Sequence, residues 1–335
     1  HPPPRTVGEG DIALYLALPG SRHGIGCAGP VAHALGYPKR PLADLLAFHL
    51  AFGKTVSDIS LNAVANLGYA DARFLEPVYV GDTLAAESVV IGLKENSTGE
   101  SGVVWVRSTA VNQDDAEVLT WIRWVMVKKR DRNRATPTPV VPETPAFVPP
   151  KRLSVPAFLD TRDYETRLTG GPWLWDDYEP GERIDPPAGV TLDEPDHTFA
   201  TRLYQNPARL HFDAHLMKDS AFGRRLVYGG HVISLCRALS YEGLENALLI
   251  AAINAGTHCN PTFAGDTLYT RTDVLEKWDL PDRSDLGALR LRMLGIKNMA
   301  AAELRDPMID AGGKKKYHPN VVLDLDYTVL MPRRN

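Results

Sequence analysis

Two features in the second half of the chain have the makings of a reaction centre. One is His211, in the run Tyr204-Gln205-Asn206-Pro207-Ala208-Arg209-Leu210-His211-Phe212-Asp213. An imidazole changes charge close to neutrality, so it can take a proton from water and give it back within one turnover. The other is Gly229-Gly230, which opens a segment whose apolar residues, Val232, Ile233, Leu235, Cys236 and Leu239, recur at helical spacing. Backbone N–H groups at a helix start lack partners within the helix and can receive developing negative charge, while glycine lets a ligand come close to that backbone. A bland reading stands beside this one: the histidine as a satisfied structural residue, the glycines as packing between helix and sheet.

Neighbouring residues extend the candidate site. Asn206 can hold an attacking water by hydrogen bonding, although it cannot accept a proton. Tyr204 lies two residues before it. Asp213 follows His211 by two, so in an extended segment both would share one face, and a structural role is preferred for it. His231, just inside the helix, either orients the site or packs.

These groups need elements to hold them, and the chain supplies the elements twice. Gly81-Asp82-Thr83-Leu84 recurs as Gly265-Asp266-Thr267-Leu268, Thr6 to Asp11 (TVGEGD) is echoed by Thr191 to Asp196 (TLDEPD), and Asn66-Leu67-Gly68 by Asn254-Ala255-Gly256. Three matches in one order indicate duplication with a period of domain size. Each copy should hold one long apolar helix, marked in the first by Leu42, Leu45, Leu46, His49, Leu50 and Phe52. Strands follow: Val104 to Val111, a polar Gln113-Asp114-Asp115 turn, then Val118 to Val127, matched later by Leu289/Leu291/Met293 and Leu323/Leu325/Tyr327/Val329. One helix against an antiparallel sheet is an α+β architecture. The expected fold is a double hot-dog, two fused units in which a sheet wraps around one long helix. Between the copies lie Pro137, Pro139, Pro142, Pro145, Pro149, Pro150 and Pro156, which favour extended backbone. The expected division is an N-terminal unit over 1–130, a linker over 131–156 and a C-terminal, catalytic unit over 157–335.

Composition narrows the class. The chain has 335 residues, 44% apolar and 23% charged, with a net charge of −4 spread over both signs. Nucleic acid is therefore an unexpected partner. No apolar run approaches the roughly 20 residues of a membrane span. Cys27, Cys236 and Cys259 are scattered without paired spacing, which suits a reducing cytoplasm and no structural metal. The opening His1-Pro2-Pro3-Pro4 lacks both an initiator Met and a signal-peptide pattern, and reads as a chain missing its first residues.

The Asn206 to Asp213 segment, then Ala221-Phe222, then Leu226-Val227-Tyr228-Gly229-Gly230-His231, resembles the MaoC-like (R)-specific enoyl-CoA hydratases, whose motif is D-x-N-P-x-H-x-D, an AF pair and I-V-H-G-M. Over nearly its full length the chain is similar to one branch of that family, the mesaconyl-CoA hydratases (β-methylmalyl-CoA dehydratases). Gly53 to Phe74, Arg123 to Asp131, Arg202 to Asn206, Phe222 to Leu235 and Asp326 to Arg334 carry the likeness.

The resemblance implies a cytoplasmic hydro-lyase that needs no cofactor, acts on a branched C5 dicarboxylic acyl-CoA, and forms a homodimer or higher homo-oligomer. It implies a catalytic group of His211, Asn206, Tyr204, Gly229 and Gly230. Substrate contacts are expected from His231, Asn254 and an arginine for the free carboxylate, with Arg22, Arg73, Arg209, Arg224 and Arg225 as candidates. The family's motif Asp is absent: Tyr204 or Asn206 stands in its place, depending on alignment. The first copy has Leu18 to Arg22 and Ala43-Asp44-Leu45 at the equivalent positions and is expected to accommodate substrate without catalysing. Alternatives are an enoyl-CoA hydratase of other chain preference, a hot-dog thioesterase using Asp44, or an inactive acyl-binding module.

Overall fold

The computed structural model describes residues 3–61 and 63–334. His1 and Pro2, with which the sequence opens, lie outside the described residues. Four helices are the main ones: α1 (Glu9–Ala17), α2 (Asp44–Thr55), α3 (Glu194–Leu203) and α4 (Gly229–Leu239). Eight long strands come in two sets, β1 (Ala63–Phe74), β2 (Thr83–Glu95), β3 (Ser101–Val111) and β4 (Glu117–Lys128), then β5 (Leu249–His258), β6 (Thr267–Leu280), β7 (Arg283–Lys297) and β8 (Val321–Pro332). They form one antiparallel sheet in the order β2-β3-β4-β1-β5-β8-β7-β6. Each copy thus runs second, third, fourth, first, and the two first strands meet in the middle through pairs such as Tyr69↔Gly256 and Arg73↔Ala252. The fold is a double hot-dog of the α+β class, as expected.

The repeated motifs have a local cause. Asp82 accepts a hydrogen bond from the Tyr79 N–H (2.7 Å), and Asp266 from the Phe263 N–H (2.9 Å), each closing the turn that launches a strand. Gly81 and Gly265 sit at φ 97° and 90°, a region open to glycine. Thr6 pairs its hydroxyl with Thr83, and Thr191 with Thr267, both at 2.8 Å. The echoed sequences therefore make the same contacts in both copies.

Alternation fixes which strand faces are buried. In β7, Leu289, Leu291 and Met293 are fully buried, and in β8 so are Leu323, Tyr327 and Val329, all packed toward the helices. The two copies share a single apolar cluster that runs from Tyr15 and Phe48 through Val232 and Ile233 to Met331. Leu42, expected at the start of the α2 stripe, instead precedes the helix, with its N–H on the Val78 carbonyl. The proline-rich segment lies along the sheet: Val140 bridges Leu93, and the Val148 N–H donates to the Asn254 side chain. Among the described residues no helix is long and apolar enough to cross a membrane.

Candidate active site

Helix α4 begins at Gly229, with Tyr228 in extended conformation as its cap. The N–H groups of Gly229 and Gly230 have no acceptor among the described residues, while His231 and Val232 donate to the Tyr228 carbonyl. These two free donors form the mouth of the helix. The glycines are required by what surrounds them. A β-carbon on Gly230 would lie 2.4 Å from the Tyr228 ring, and one on Gly229 would collide with the ring of His258.

His211 is brought there by a turn that the sequence did not reveal. Residues Arg209–His211 form one 3-10 turn rather than an extended segment. The Leu226 N–H donates to the Leu210 carbonyl (3.1 Å), which ties this turn to the chain just ahead of the helix mouth. Nδ1 of His211 lies 3.0 Å from the Leu226 carbonyl. A carbonyl only accepts, so Nδ1 carries the proton and Nε2 presents a lone pair. Burial lowers the imidazole to about pH 4, against a smaller rise from that carbonyl. It is neutral at physiological pH and able to act as a base. Its ring packs edge-on against Tyr228, 5.4 Å between centroids.

Asn206 is buried, and its side-chain oxygen accepts from the Ala208 N–H (2.9 Å), which shapes the turn into His211. Its amide nitrogen has no hydrogen-bond partner among the described residues and is available to a water. Tyr204 is fully buried between the copies, its ring 4.7 Å from His49 and 5.9 Å from Tyr228. Its carbonyl would lie 1.9 Å from a β-carbon on Gly53, so a glycine in α2 is what lets the copies close. Asp213 caps the short helix Ala214–Met217 by accepting from the Leu216 N–H and pairs with Arg209, which agrees with a structural role. His231 is buried with Nδ1 unpartnered, and burial holds it near 3.

Sequence reasoning missed His258, at the end of β5. Its Nε2 lies 3.0 Å from the Tyr69 hydroxyl, and the two rings meet at 84°. Burial and the neighbouring His211 lower it to about 4. Tyr69 belongs to the first copy, so the first copy reaches the mouth of the second copy's helix. One signal was present: Phe74-Leu75-Glu76-Pro77 aligns with His258-Cys259-Asn260-Pro261 ahead of the repeated Gly-Asp-Thr-Leu. Only the second copy carries histidine at that place.

Several expected substrate contacts are committed elsewhere. Asn254 is fully buried, accepting from the Val148 N–H and donating to Asp326 and Thr328, so its bonding capacity is spent on holding the linker to the sheet. Arg209 is 60% exposed and bound to Asp213. Arg225 pairs with Glu194 and donates to Thr198. Arg73 faces the buried Asp71, which Arg107 and Arg152 also approach. Arg22 pairs with Glu242 at the surface, and the exposed Arg224 stacks on Phe263.

A separate cleft, open to solvent, lies at the start of α2, lined among others by Tyr15, His23, Asp44, Phe74 and Arg237. Asp44 stands where the second copy has Gly229. It accepts from the Ile250 N–H (2.7 Å), and burial raises it to about 6. A carboxylate there opposes the build-up of negative charge on a substrate oxygen, which the glycine mouth favours.

No family model matches the chain. It is 54% identical to the β-methylmalyl-CoA dehydratase of Chloroflexus aurantiacus, over 100% of this chain and 94% of that one. It is 52% identical to the mesaconyl-CoA hydratase of Cereibacter sphaeroides, over 99% of this chain and 94% of that one. The crystal structure of a MaoC domain dehydratase from Chloroflexus aurantiacus superposes with a TM-score of 0.96 at 54% identity, covering 100% and 94% of the two chains. A Mycobacterium tuberculosis protein described as a double hotdog fold superposes at 0.74 with 24% identity, over 99% and 94%, a likeness of fold alone.

Proposed function

We propose, on the premise that this chain belongs to the β-methylmalyl-CoA dehydratase and mesaconyl-CoA hydratase family, that it adds water reversibly to mesaconyl-CoA to give β-methylmalyl-CoA. The identity of 54% along the whole chain carries the reading. It is a hydro-lyase of the MaoC-like kind. The free thiols of Cys27, Cys236 and Cys259 support a reducing, cytoplasmic setting.

In the hydration direction, a water held by the Asn206 amide and the Nε2 lone pair of His211 loses a proton to that nitrogen. Its oxygen bonds to the carbon β to the thioester. The double-bond electron pair moves toward the thioester oxygen, where the N–H groups of Gly229 and Gly230 receive the charge, an effect worth about 3 kcal/mol per well-placed donor. The proton on His211 then passes to the α carbon, restoring the neutral imidazole. Dehydration runs the same steps backwards. The missing motif aspartate is accommodated because the Leu226 carbonyl, rather than a carboxylate, fixes the tautomer of His211.

The test is a spectrophotometric assay of wild type, His211→Ala and Asn206→Ala with mesaconyl-CoA and crotonyl-CoA, with free CoA followed by a thiol reagent. Preference for mesaconyl-CoA, loss of roughly 100-fold or more in His211→Ala and no CoA release are expected. Undiminished turnover in the His211 variant removes the mechanism. Release of CoA without a change in enoyl absorbance supports a thioesterase instead.

A further inference from the structure

Arg123, in β4, is fully buried. Its Nη2 donates to the Thr55 carbonyl (3.1 Å) and hydroxyl (2.9 Å), its Nη1 approaches the Ser60 hydroxyl (3.3 Å), and its Nε is buried without a partner. Its guanidinium carbon sits 4.2 Å over the Phe52 ring. Among the described residues no carboxylate forms an ion pair with it. Burial pulls it down to about 10, so it stays charged at neutral pH. Arg271, also buried, pairs with Asp273, and the buried Arg237 is within the influence of Asp44. Among the described residues, the titratable groups whose charge acts on Arg123 are the hydroxyls of Tyr69 and Tyr228. An arginine desolvated without a counter-ion is costly, and such groups are normally paired.

Its position suggests what completes it. Tyr69 is directly opposite Arg123 across the β1–β4 ladder. From Tyr69 the chain of contacts runs to His258 and then to Gly229. On the other side, the Phe52 ring beneath the guanidinium lies 6.2 Å from the ring of Tyr228, the cap of the same helix. Arg123 thus stands behind the aromatic wall of the helix mouth. In a fumarate-type thioester the free carboxylate is attached to the carbon that receives water, on the side of the double bond away from the carbonyl. With the carbonyl at Gly229, that carboxylate points away from the helix mouth.

We propose that Arg123 of the first copy is the cation that receives the free carboxylate of the substrate, and so selects dicarboxylic over monocarboxylic thioesters. The assignment rests on the reading of the function given above. It also gives the first copy a direct part in recognition, since Arg123, Tyr69 and Phe52 all come from it. The Nε–H, which has no partner among the described residues, is the donor left for the anion, on a guanidinium that Thr55 and Ser60 already hold in place, a directed planar donor that lysine does not reproduce.

The experiment compares wild type, Arg123→Gln and Arg123→Lys, with kcat/KM for mesaconyl-CoA and crotonyl-CoA and a thermal melt of each. The ratio of the two kcat/KM values should fall about 100-fold in Arg123→Gln, as for truncation of one partner in a buried charge pair. In Arg123→Lys it should fall by about 10-fold, since the charge is kept while the fixed, planar placement of the donor is lost. Should the glutamine variant not fold, the lysine variant decides alone. A ratio within about threefold of wild type in a folded variant overturns the assignment and leaves the function standing. A wild type inactive on mesaconyl-CoA overturns the function, and this assignment with it.

Discussion

The imidazole of His258 occupies the space that a side chain on Gly229 would need: a β-carbon there would lie 2.4 Å from its Cε1 and 2.5 Å from its Nε2. Ring and glycine are thus mutually dependent. Gly229→Ala must displace either the ring or the first turn of the helix, and with it the two free donors. We expect kcat on mesaconyl-CoA to fall by about 100-fold, the usual cost of losing one preorganised donor. Steady-state kinetics with a melting curve on the same sample check this. A variant with wild-type kcat would show that the mouth of α4 does not touch the reacting oxygen.

Tyr69→Phe removes the hydroxyl that meets His258 Nε2 at 3.0 Å without emptying the space the ring fills. Stability should fall by only about 1 kcal/mol. Turnover should fall by roughly 10-fold, because the His258 ring loses what orients it, an effect in the range seen for second-layer partners of reacting groups. Denaturant titration and kcat, measured side by side, separate the two effects.

Acid should unfold this protein earlier than its carboxylates alone would require. Burial holds His211 and His258 near 4 and His49 and His231 near 3, below the ordinary 6.5. A histidine lowered in the folded state contributes stability that is complete above about pH 6.5 and is lost as pH falls toward its folded value, since the unfolded chain takes up protons that the folded one refuses. Urea unfolding between pH 7.5 and 4.5 should show stability dropping steeply below about pH 6.5, and His49→Gln should flatten that slope. A flat profile across the interval contradicts the burial of these rings.

The second copy's fold and its glycine-opened helix were legible in the sequence because they are written locally. A GDTL turn makes its hydrogen bond within four residues, and a glycine pair before an apolar stripe marks a helix start wherever it occurs. What was not legible depends on contacts between distant segments. His258, Tyr69 and Arg123 gain their meaning only when β1 pairs with β5 and β4 lies beside β1, a topology that no local period encodes. For the same reason arginines in the neighbourhood of His211 along the chain drew attention, whereas Arg209 and Arg225 were already paired with Asp213 and Glu194.

Asn254 shows the reverse error and yields a further prediction. Asn254→Ala leaves the Val148 N–H, Asp326 and Thr328 without their shared partner. A loss of about 2–4 kcal/mol is expected from several buried groups left unsatisfied, with kcat per folded molecule retained. Equilibrium unfolding and an active-site-normalised assay check it. A fall in kcat without a change in stability would return Asn254 to the substrate.

The contact of the Tyr204 carbonyl with Gly53 bears on how the molecule is made. Tyr69 is synthesised well before His258, which its hydroxyl meets, and before Gly229, against which the His258 ring packs. During translation the first portion therefore waits for its partner until α3 and α4 emerge from the ribosome and settle against α2. The close approach at Gly53 completes only late, and a substitution that bulks out Gly53 should hinder it, leaving two formed portions with their central strands exposed to neighbouring chains.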